Sequence, residues 1–210
     1  MSDKFQNKYR IPSARLQNWD YGSHAAYFVT ICTKHREHYF GEIVETECIS
    51  SLQPEQEMKL NEIGIIAEQE WIKTPIIRPD MNLELGNFVV MPNHFHAILI
   101  IGENEYNTNG VNGDDDGAGD LDVNGNRRDV MHHVSTDTVN KFGPQSKNLA
   151  SIIRGFKSSV TTHAKKIGIA HFEWQSRFHD HIIRNAERFE IIQNYITNNP
   201  KNWNNDKFYS

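Results

Sequence analysis

The chain has 210 residues, of which 38% are hydrophobic and 23% charged, and its formal net charge at pH 7 is −5. This length suits one large or two small domains, and the charged fraction is ordinary for a globular protein. No segment approaches the roughly 18 consecutive apolar residues of a membrane-spanning helix, so no membrane partner is expected. Two cysteines are too few for a disulfide framework, and the polar N-terminus has no apolar signal segment, which favours a cytoplasmic location.

Charge is unevenly distributed along the chain. Residues 1–40 and 141–210 carry net charges of +3 and +6, whereas residues 41–102 and 103–140 each carry −7. Local charge governs attraction to a polyanion more directly than the total does. The basic ends are therefore compatible with a nucleic-acid partner despite the acidic total.

Hydrophobic periodicity and turn residues divide the chain into strands and helices. An irregular N-terminal arm at residues 1–22 comes first. The elements predicted after it are strands at Ala25–Thr33 and Tyr39–Thr46, a helix at Leu60–Ile72, strands at Leu83–Met91 and His94–Ile101, a helix from Ser146 to Gly168, a strand-like segment at Phe172–Ile183 and a helix at Glu187–Asn198. The first two strands are expected to pair with each other, and so are the next two. This order predicts an α+β sandwich with helices packed on a mainly antiparallel sheet.

Residues 103–140 form a low-complexity acidic insertion rich in glycine, asparagine and aspartate. Such a segment buries too little apolar surface to offset its ordering entropy, so a solvated linker is expected. Calcium binding is the alternative, because D-x-D-G fragments occur. An EF-hand register from Asn112, however, places Val123 where a glutamate is required. Residues 23–102 and 141–210 then make a single domain around the insertion.

The sequence His94-Phe95-His96 lies on a predicted strand. Side chains two residues apart on a strand share a face, so the two imidazoles project together and Phe95 points to the opposite side. Two neutral imidazoles that converge make half of a divalent-metal site. The alternative is a pair of unrelated histidines at the surface or in the core.

Tyr195 and Asn199 are four residues apart on the last predicted helix, which places them one above the other. A tyrosine hydroxyl can attack phosphate if a metal or a base assists removal of its proton. The Asn199 carboxamide oxygen could supply a third, uncharged metal ligand. The alternative is that Tyr195 is a core aromatic residue and Asn199 the C-cap before Pro200.

A second H-x-H motif, His179-Asp180-His181, competes for the metal. It lies between Arg177 and Arg184. These flanking cations favour contacts with nucleic acid or a hydrogen-bonded strand edge over direct metal ligation.

Taken together, these motifs resemble the REP-associated tyrosine transposases, a branch of the single-tyrosine HUH transposase family. The matching pieces are AYFVTICTKHREHYFG at 26–41, VVMPNHFHAILI at 89–100, FGPQSKNLASIIRGFKS at 142–158 and FEWQSRFHDHIIRNAERFEIIQNYITNNPKNW at 172–203. They cover most of the chain outside the insertion.

The resemblance implies a ferredoxin-like α+β domain, the HUH endonuclease fold. His94 and His96 then correspond to the metal ligands, with Mg²⁺ or Mn²⁺ as the cofactor. Tyr195 corresponds to the nucleophile that attacks single-stranded DNA, leaving a 5′-phosphotyrosine link and a free 3′-hydroxyl that can rejoin strands. Asn199 stands where related enzymes place a third ligand, often glutamine. Relatives with this C-terminal segment are associated with repeats that fold as hairpins.

The expected partner is thus single-stranded or hairpin DNA, bound by a monomer or a homodimer. Candidate DNA contacts come from the arm, the predicted helix from Ser146 to Gly168 and the second H-x-H segment with its flanking arginines. They are Arg10, Arg15, Arg154, Lys157, Arg177, His179, His181 and Arg184. Two other functions remain open. One is a domesticated, non-catalytic protein that binds DNA or RNA hairpins, and the other is a metal-dependent phosphodiesterase that uses water instead of tyrosine.

Overall fold

The computed structural model describes residues 4–5, 8–9, 19–46, 55–108 and 146–209. Arg10, Arg15 and most of the insertion lie outside these residues, so the arm contacts and the domain boundaries stay predictions. Within the described part of the chain, no helix is both long enough and apolar enough to cross a membrane.

Eight strands and four α-helices are described. They are β1 (Lys4–Phe5), β2 (Lys8–Tyr9), β3 (Ala25–Cys32), β4 (Gly41–Thr46), β5 (Glu55–Leu60), α1 (Glu62–Ile72), α2 (Thr74–Ile77), β6 (Leu83–Met91), β7 (His94–Ile101), α3 (Leu149–Lys166), β8 (His179–Ile183) and α4 (Ala186–Thr197). Short 3-10 helices lie at Lys34–Arg36, Pro79–Met81 and Pro200–Asn205.

The central sheet has four strands in the order β6-β7-β3-β8, and every neighbouring pair is antiparallel. With α1 and α3 in between, the chain runs β3-α1-β6-β7-α3-β8, which is the β-α-β-β-α-β order of a ferredoxin-like domain. The predicted α+β class with an antiparallel sheet is confirmed, and so is the β6–β7 hairpin across Pro92-Asn93.

One face of the central sheet forms the main core. Alternate side chains of β3, Tyr27, Val29 and Ile31, are fully buried there. They pack with Trp71 of α1 and Phe156 of α3, among others. The side chain of Asn148 caps α3 by accepting a hydrogen bond from the Ser151 backbone N–H at 3.0 Å, which fixes where this helix begins over the sheet.

The opposite face carries the remaining side chains of β3 and β7. The register pairs Cys32 with His94 and Thr30 with His96, so all four side chains point to this second face. It is covered partly by α4 and partly by the C-terminal segment. The two histidines of the H-x-H motif are therefore covered by residues near the end of the chain.

Three of the predictions about the secondary-structure elements were wrong. β4 pairs with β5 and not with β3. The polar sequence EQEMKL of β5 gave no strand signal, so its role as a partner was missed, and Leu60 belongs to β5, not to α1. The arm, expected to be irregular, contains the paired strands β1 and β2.

The strand-like segment predicted at Phe172–Ile183 is also shorter than expected. Only His179–Ile183 forms a strand of the sheet. In the preceding residues, Trp174 forms an isolated bridge with Thr33, just after β3, and the Gln175 N–H donates to the Cys32 carbonyl at 2.9 Å. Aromatic packing of Phe172 and Trp174, with ring centroids 5.1 Å apart, explains their apolar character without a strand.

Candidate metal and tyrosine site

His94 and His96 lie side by side on β7, as the strand alternation predicted. Their ring centroids are 4.5 Å apart, and both side chains are buried. Phe95 points the other way and packs against Trp71 in the main core at 5.1 Å. The strand thus aims two imidazoles at one point on the second face.

Hydrogen bonds determine which ring nitrogen of His94 carries the proton. Asn93 Nδ2 donates to the backbone carbonyl of Phe208 at 2.8 Å, so Asn93 Oδ1 is left as the acceptor. His94 Nδ1 lies 2.9 Å from that oxygen and must therefore donate to it. Nε2 of His94 then carries a free lone pair directed into the site, which is the arrangement of a metal-binding imidazole.

Both imidazoles are neutral at physiological pH. Burial, together with the positive charge of Arg36, lowers the pKa of His94 to about 3, while the neighbouring Asn199 amide acts in the opposite direction. Burial and the adjacent His94 hold the pKa of His96 well below its ordinary value. A neutral imidazole is the form that binds a cation.

Tyr195 reaches the histidines from α4. Its hydroxyl lies 3.2 Å from His96 Nε2, and its ring meets Phe28 edge-on with centroids 6.1 Å apart. The next residue, Ile196, is buried between α4 and the sheet, which holds this turn of the helix in place. The Tyr195 side chain is 40% exposed, so its hydroxyl faces the histidines while solvent reaches the ring.

Asp206 joins the site although nothing in the sequence analysis identified it. Its Oδ2 accepts hydrogen bonds from the Tyr195 hydroxyl at 3.3 Å and from Asn199 Nδ2 at 3.0 Å. Ligand atoms of His94, His96 and Asp206 all lie within 4.8 Å of one another. Burial and the Asp206 charge together raise the pKa of Tyr195 to about 12.

Asp206 is held by the packing of the C-terminal segment. Trp203 and Phe208 are buried beside Cys32 and Met91 on the second face. The Phe208 backbone N–H also donates to Asp206 Oδ1 at 2.6 Å. Three aromatic residues, Trp203, Phe208 and Tyr209, in the otherwise polar stretch WNNDKFYS were the available signal that this segment returns to the domain.

Asn199 follows α4 and is almost fully buried. Three buried side-chain polar atoms among the described residues lack a hydrogen bond. Two of them, His94 Nε2 and Asn199 Oδ1, lie at this site, and the third is the Trp71 indole nitrogen in the core. Buried acceptors are almost always satisfied, so two unsatisfied acceptors beside a carboxylate call for a donor or a cation.

The donor set therefore fits a divalent metal ion. It offers two imidazole nitrogens, the Asp206 carboxylate and the Asn199 carbonyl oxygen. Imidazole suits the transition metals, whereas carboxylate and carbonyl oxygens suit Mg²⁺ and Mn²⁺.

The second H-x-H motif lies on the same sheet face, beyond β3. The register pairs His179 with Thr30 and His181 with Phe28, and both histidines are exposed. Neither belongs to the cluster of potential metal ligands found among the described residues. Arg177 and Arg184, which flank the motif, are exposed as well.

The two candidates on α3 lie elsewhere. This helix packs on the main-core face, so Arg154 and Lys157 are not beside Tyr195. Arg154 is exposed. Lys157 is half-buried, and its ammonium group donates to the Gln175 carbonyl.

Comparisons with known proteins identify a relative of this chain. No protein-family model matches the chain. It is 32% identical over 197 residues to an uncharacterized protein of Haemophilus influenzae, an alignment that covers 94% of this chain and 92% of that one. The chain belongs to the same family as this Haemophilus protein. Among solved structures, it is similar to the REP-associated tyrosine transposase bound to a REP hairpin, with 17% identity and a TM-score of 0.46 over 90% of this chain and 73% of that one.

Proposed function

We propose that the protein is a metal-dependent HUH transposase that cleaves and rejoins single-stranded DNA, with Tyr195 as the nucleophile. The observation that carries this proposal is the position of the Tyr195 hydroxyl, 3.2 Å from His96 Nε2 and 3.3 Å from Asp206. A tyrosine that only packs in a core does not need its hydroxyl at a cluster of metal-type ligands. The sequence resemblance supports the same reaction and suggests hairpin-forming repeats as targets.

His94, His96, Asp206 and Asn199 would hold the metal ion. A divalent cation there would polarise the scissile phosphate and stabilise its developing negative charge. Two polar side chains orient the imidazole rings. Thr30 Oγ1 lies 2.9 Å from His96 Nδ1, and Asn93 accepts a hydrogen bond from His94 Nδ1.

Asp206 would also accept the Tyr195 proton. As the tyrosine oxygen forms its bond to phosphorus, the bond from phosphorus to the 3′-oxygen of the preceding nucleotide breaks. The hydroxyl proton passes to Asp206 Oδ2, and the departing 3′-oxygen takes a proton from water. A positioned carboxylate is needed because burial makes this tyrosine harder to ionise than a free one.

The surroundings of Tyr195 suit a long polymeric substrate. One side of its ring is open to solvent, and the exposed His179 and His181 continue the same sheet face towards Arg177 and Arg184. Cationic and ring side chains of this kind bind the backbone and bases of single strands. The covalent link to DNA conserves the energy of the broken phosphodiester bond, so strands can be rejoined without ATP.

The test is a covalent-adduct assay. The protein is incubated with labelled hairpin oligonucleotides and Mn²⁺, and the products are separated on a denaturing gel. A protein-linked DNA band is expected. Tyr195→Phe and His94→Ala should abolish it, whereas Tyr209→Phe, which alters another exposed tyrosine, should leave it intact.

The alternative functions predict different results in this assay. Cleavage without a protein-linked band would show a water-using phosphodiesterase. Tight hairpin binding by the wild type without any cleavage would show a non-catalytic hairpin-binding protein. An adduct that persists in Tyr195→Phe would mean that the nucleophile has been assigned to the wrong residue.

A further inference from the structure

A cavity lies beyond the last residue of β3. Its volume is about 920 Å³. The 3-10 helix Lys34–Arg36, the C-terminal half of α3 and the segment 170–176 form its walls. We call it the basic pocket, after the charged residues that line it: Lys34, Arg36, Lys157 and Lys165, with His35 and a single carboxylate, Glu173.

The basic pocket concentrates positive charge in a chain whose net charge is −5. Lys34 pairs with Glu173, so these two charges largely cancel. Arg36, Lys157 and Lys165 remain as the net positive contribution. Cations gathered in a concave surface reinforce one another and attract polyanions more strongly than the same charges on a flat one.

The pocket is built at a local energetic cost. His35 and Arg36 both have left-handed backbone angles, with φ of 55° and 60°, in residues that are not glycine. That conformation costs roughly 1–2 kcal/mol for each residue. Lys157 is partly buried against Trp174, and burial lowers the pKa of its ammonium group. Strained backbone of this kind is typical of functional sites.

The pocket is connected to the candidate metal site. Arg36 lies over the Phe208 ring at 4.5 Å and donates to the Lys207 carbonyl at 3.1 Å, in the segment that carries Asp206. Thr33, which also lines the pocket, donates its backbone N–H to the carbonyl of Asn93 at 2.9 Å. Asn93 in turn holds His94. Arg36 therefore links the wall of the pocket to the segment that carries Asp206.

We propose that the basic pocket binds the part of the DNA single strand that flanks the reacting phosphate. Arg36, Lys157 and Lys165 contact its phosphates, and the half-buried Trp174 offers an aromatic surface to a base. This inference rests on the proposed function, because it assigns part of the same substrate. It adds a binding site on the α3 side of the sheet, away from Tyr195.

The test is equilibrium binding of the full chain to a labelled oligothymidylate of about 12 nucleotides, without divalent metal, over a range of salt concentrations. Lys165→Ala is compared with Lys166→Ala. Both lysines are exposed neighbours at the end of α3, but only Lys165 lines the pocket. Each phosphate contact to a single strand contributes about 0.7 to the slope of log K against log salt.

Lys165→Ala is expected to reduce that slope by about 0.7 and Lys166→Ala to leave it unchanged. Lys157→Met, which keeps the packing against Trp174, should act like Lys165→Ala. Equal slopes for Lys165→Ala and Lys166→Ala would overturn the inference. The adduct assay separates the two proposals: an adduct with equal slopes refutes only the pocket, whereas a selective Lys165 effect without an adduct supports the pocket and refutes the catalysis.

Discussion

Replacing Asp206 with asparagine tests whether its carboxylate accepts the Tyr195 proton. The change keeps the side-chain shape and an oxygen that can accept from the Phe208 N–H, so the C-terminal segment should stay in place. It removes the negative charge 3.3 Å from the tyrosine hydroxyl. Circular dichroism and a thermal melt would check that the fold is retained.

Two effects of Asp206→Asn have opposite signs. Burial is the largest reason why the pKa of Tyr195 is raised to about 12, and the Asp206 charge is the next. Without that charge the pKa falls, so more tyrosinate is present at any pH. If the ionised fraction of Tyr195 set the rate, the variant would form the adduct faster. If Asp206 accepts the proton during attack, the rate should fall by about 10²- to 10⁴-fold.

We expect the slower rate. The measurement is the single-turnover rate of adduct formation at saturating Mn²⁺, so that any weaker metal binding is compensated by concentration. Asp80→Asn, which alters a surface aspartate paired with Lys147, is the matched control and should react like the wild type. A rate for Asp206→Asn equal to or above that of the wild type would refute the role of Asp206 as proton acceptor.

Two further predictions concern buried polar groups. Thr30→Val removes the hydroxyl that holds His96 Nδ1, so Mn²⁺ affinity measured by calorimetry should fall by about 10- to 100-fold, and unchanged affinity would contradict the orienting role. For Glu70, burial alone would raise the carboxyl pKa, but hydrogen bonds from Lys73 and Ser159 outweigh it and lower the pKa below its ordinary 4.5. The ionised carboxylate therefore stabilises the fold above that pH, and this stability is lost as the pH falls through the lowered pKa. Urea unfolding of Glu70→Gln should show a deficit at pH 7 that shrinks below about pH 4, and a deficit that does not vary with pH would contradict it.

The parts of the fold that follow local patterns could be predicted from the sequence. The apolar alternation of β3, β6 and β7 and the helical spacing in α3 and α4 are properties of short windows, and the structure has these elements within a few residues of the predicted bounds. The pairing of β4 was different. It depends on a polar partner, β5, whose strand conformation comes from tertiary context and not from its own residues.

The residues of the candidate site likewise divide into those that a local sequence pattern identifies and those that it does not. His94 and His96 could be found because one strand places them together, and Tyr195 and Asn199 because one helix turn separates them. Asp206 and Asn93 could not, because their role depends on the C-terminal segment folding back so that Phe208 meets Asn93. That contact joins residues 115 positions apart, and no local window contains both.

Asp206 also changes the chemistry that the sequence implied. A ligand set of His94, His96 and Asn199 is neutral and leaves the full charge of a divalent ion available to a phosphate. With the Asp206 carboxylate as a further ligand, the net charge at a bound metal would fall by one, which would strengthen metal binding and weaken the attraction of substrate oxygen to the metal. The same carboxylate oxygen contacts Tyr195 and Asn199. Metal binding and proton acceptance therefore draw on one carboxylate, and the Asp206→Asn rate measured at saturating Mn²⁺ separates the second of these roles from the first.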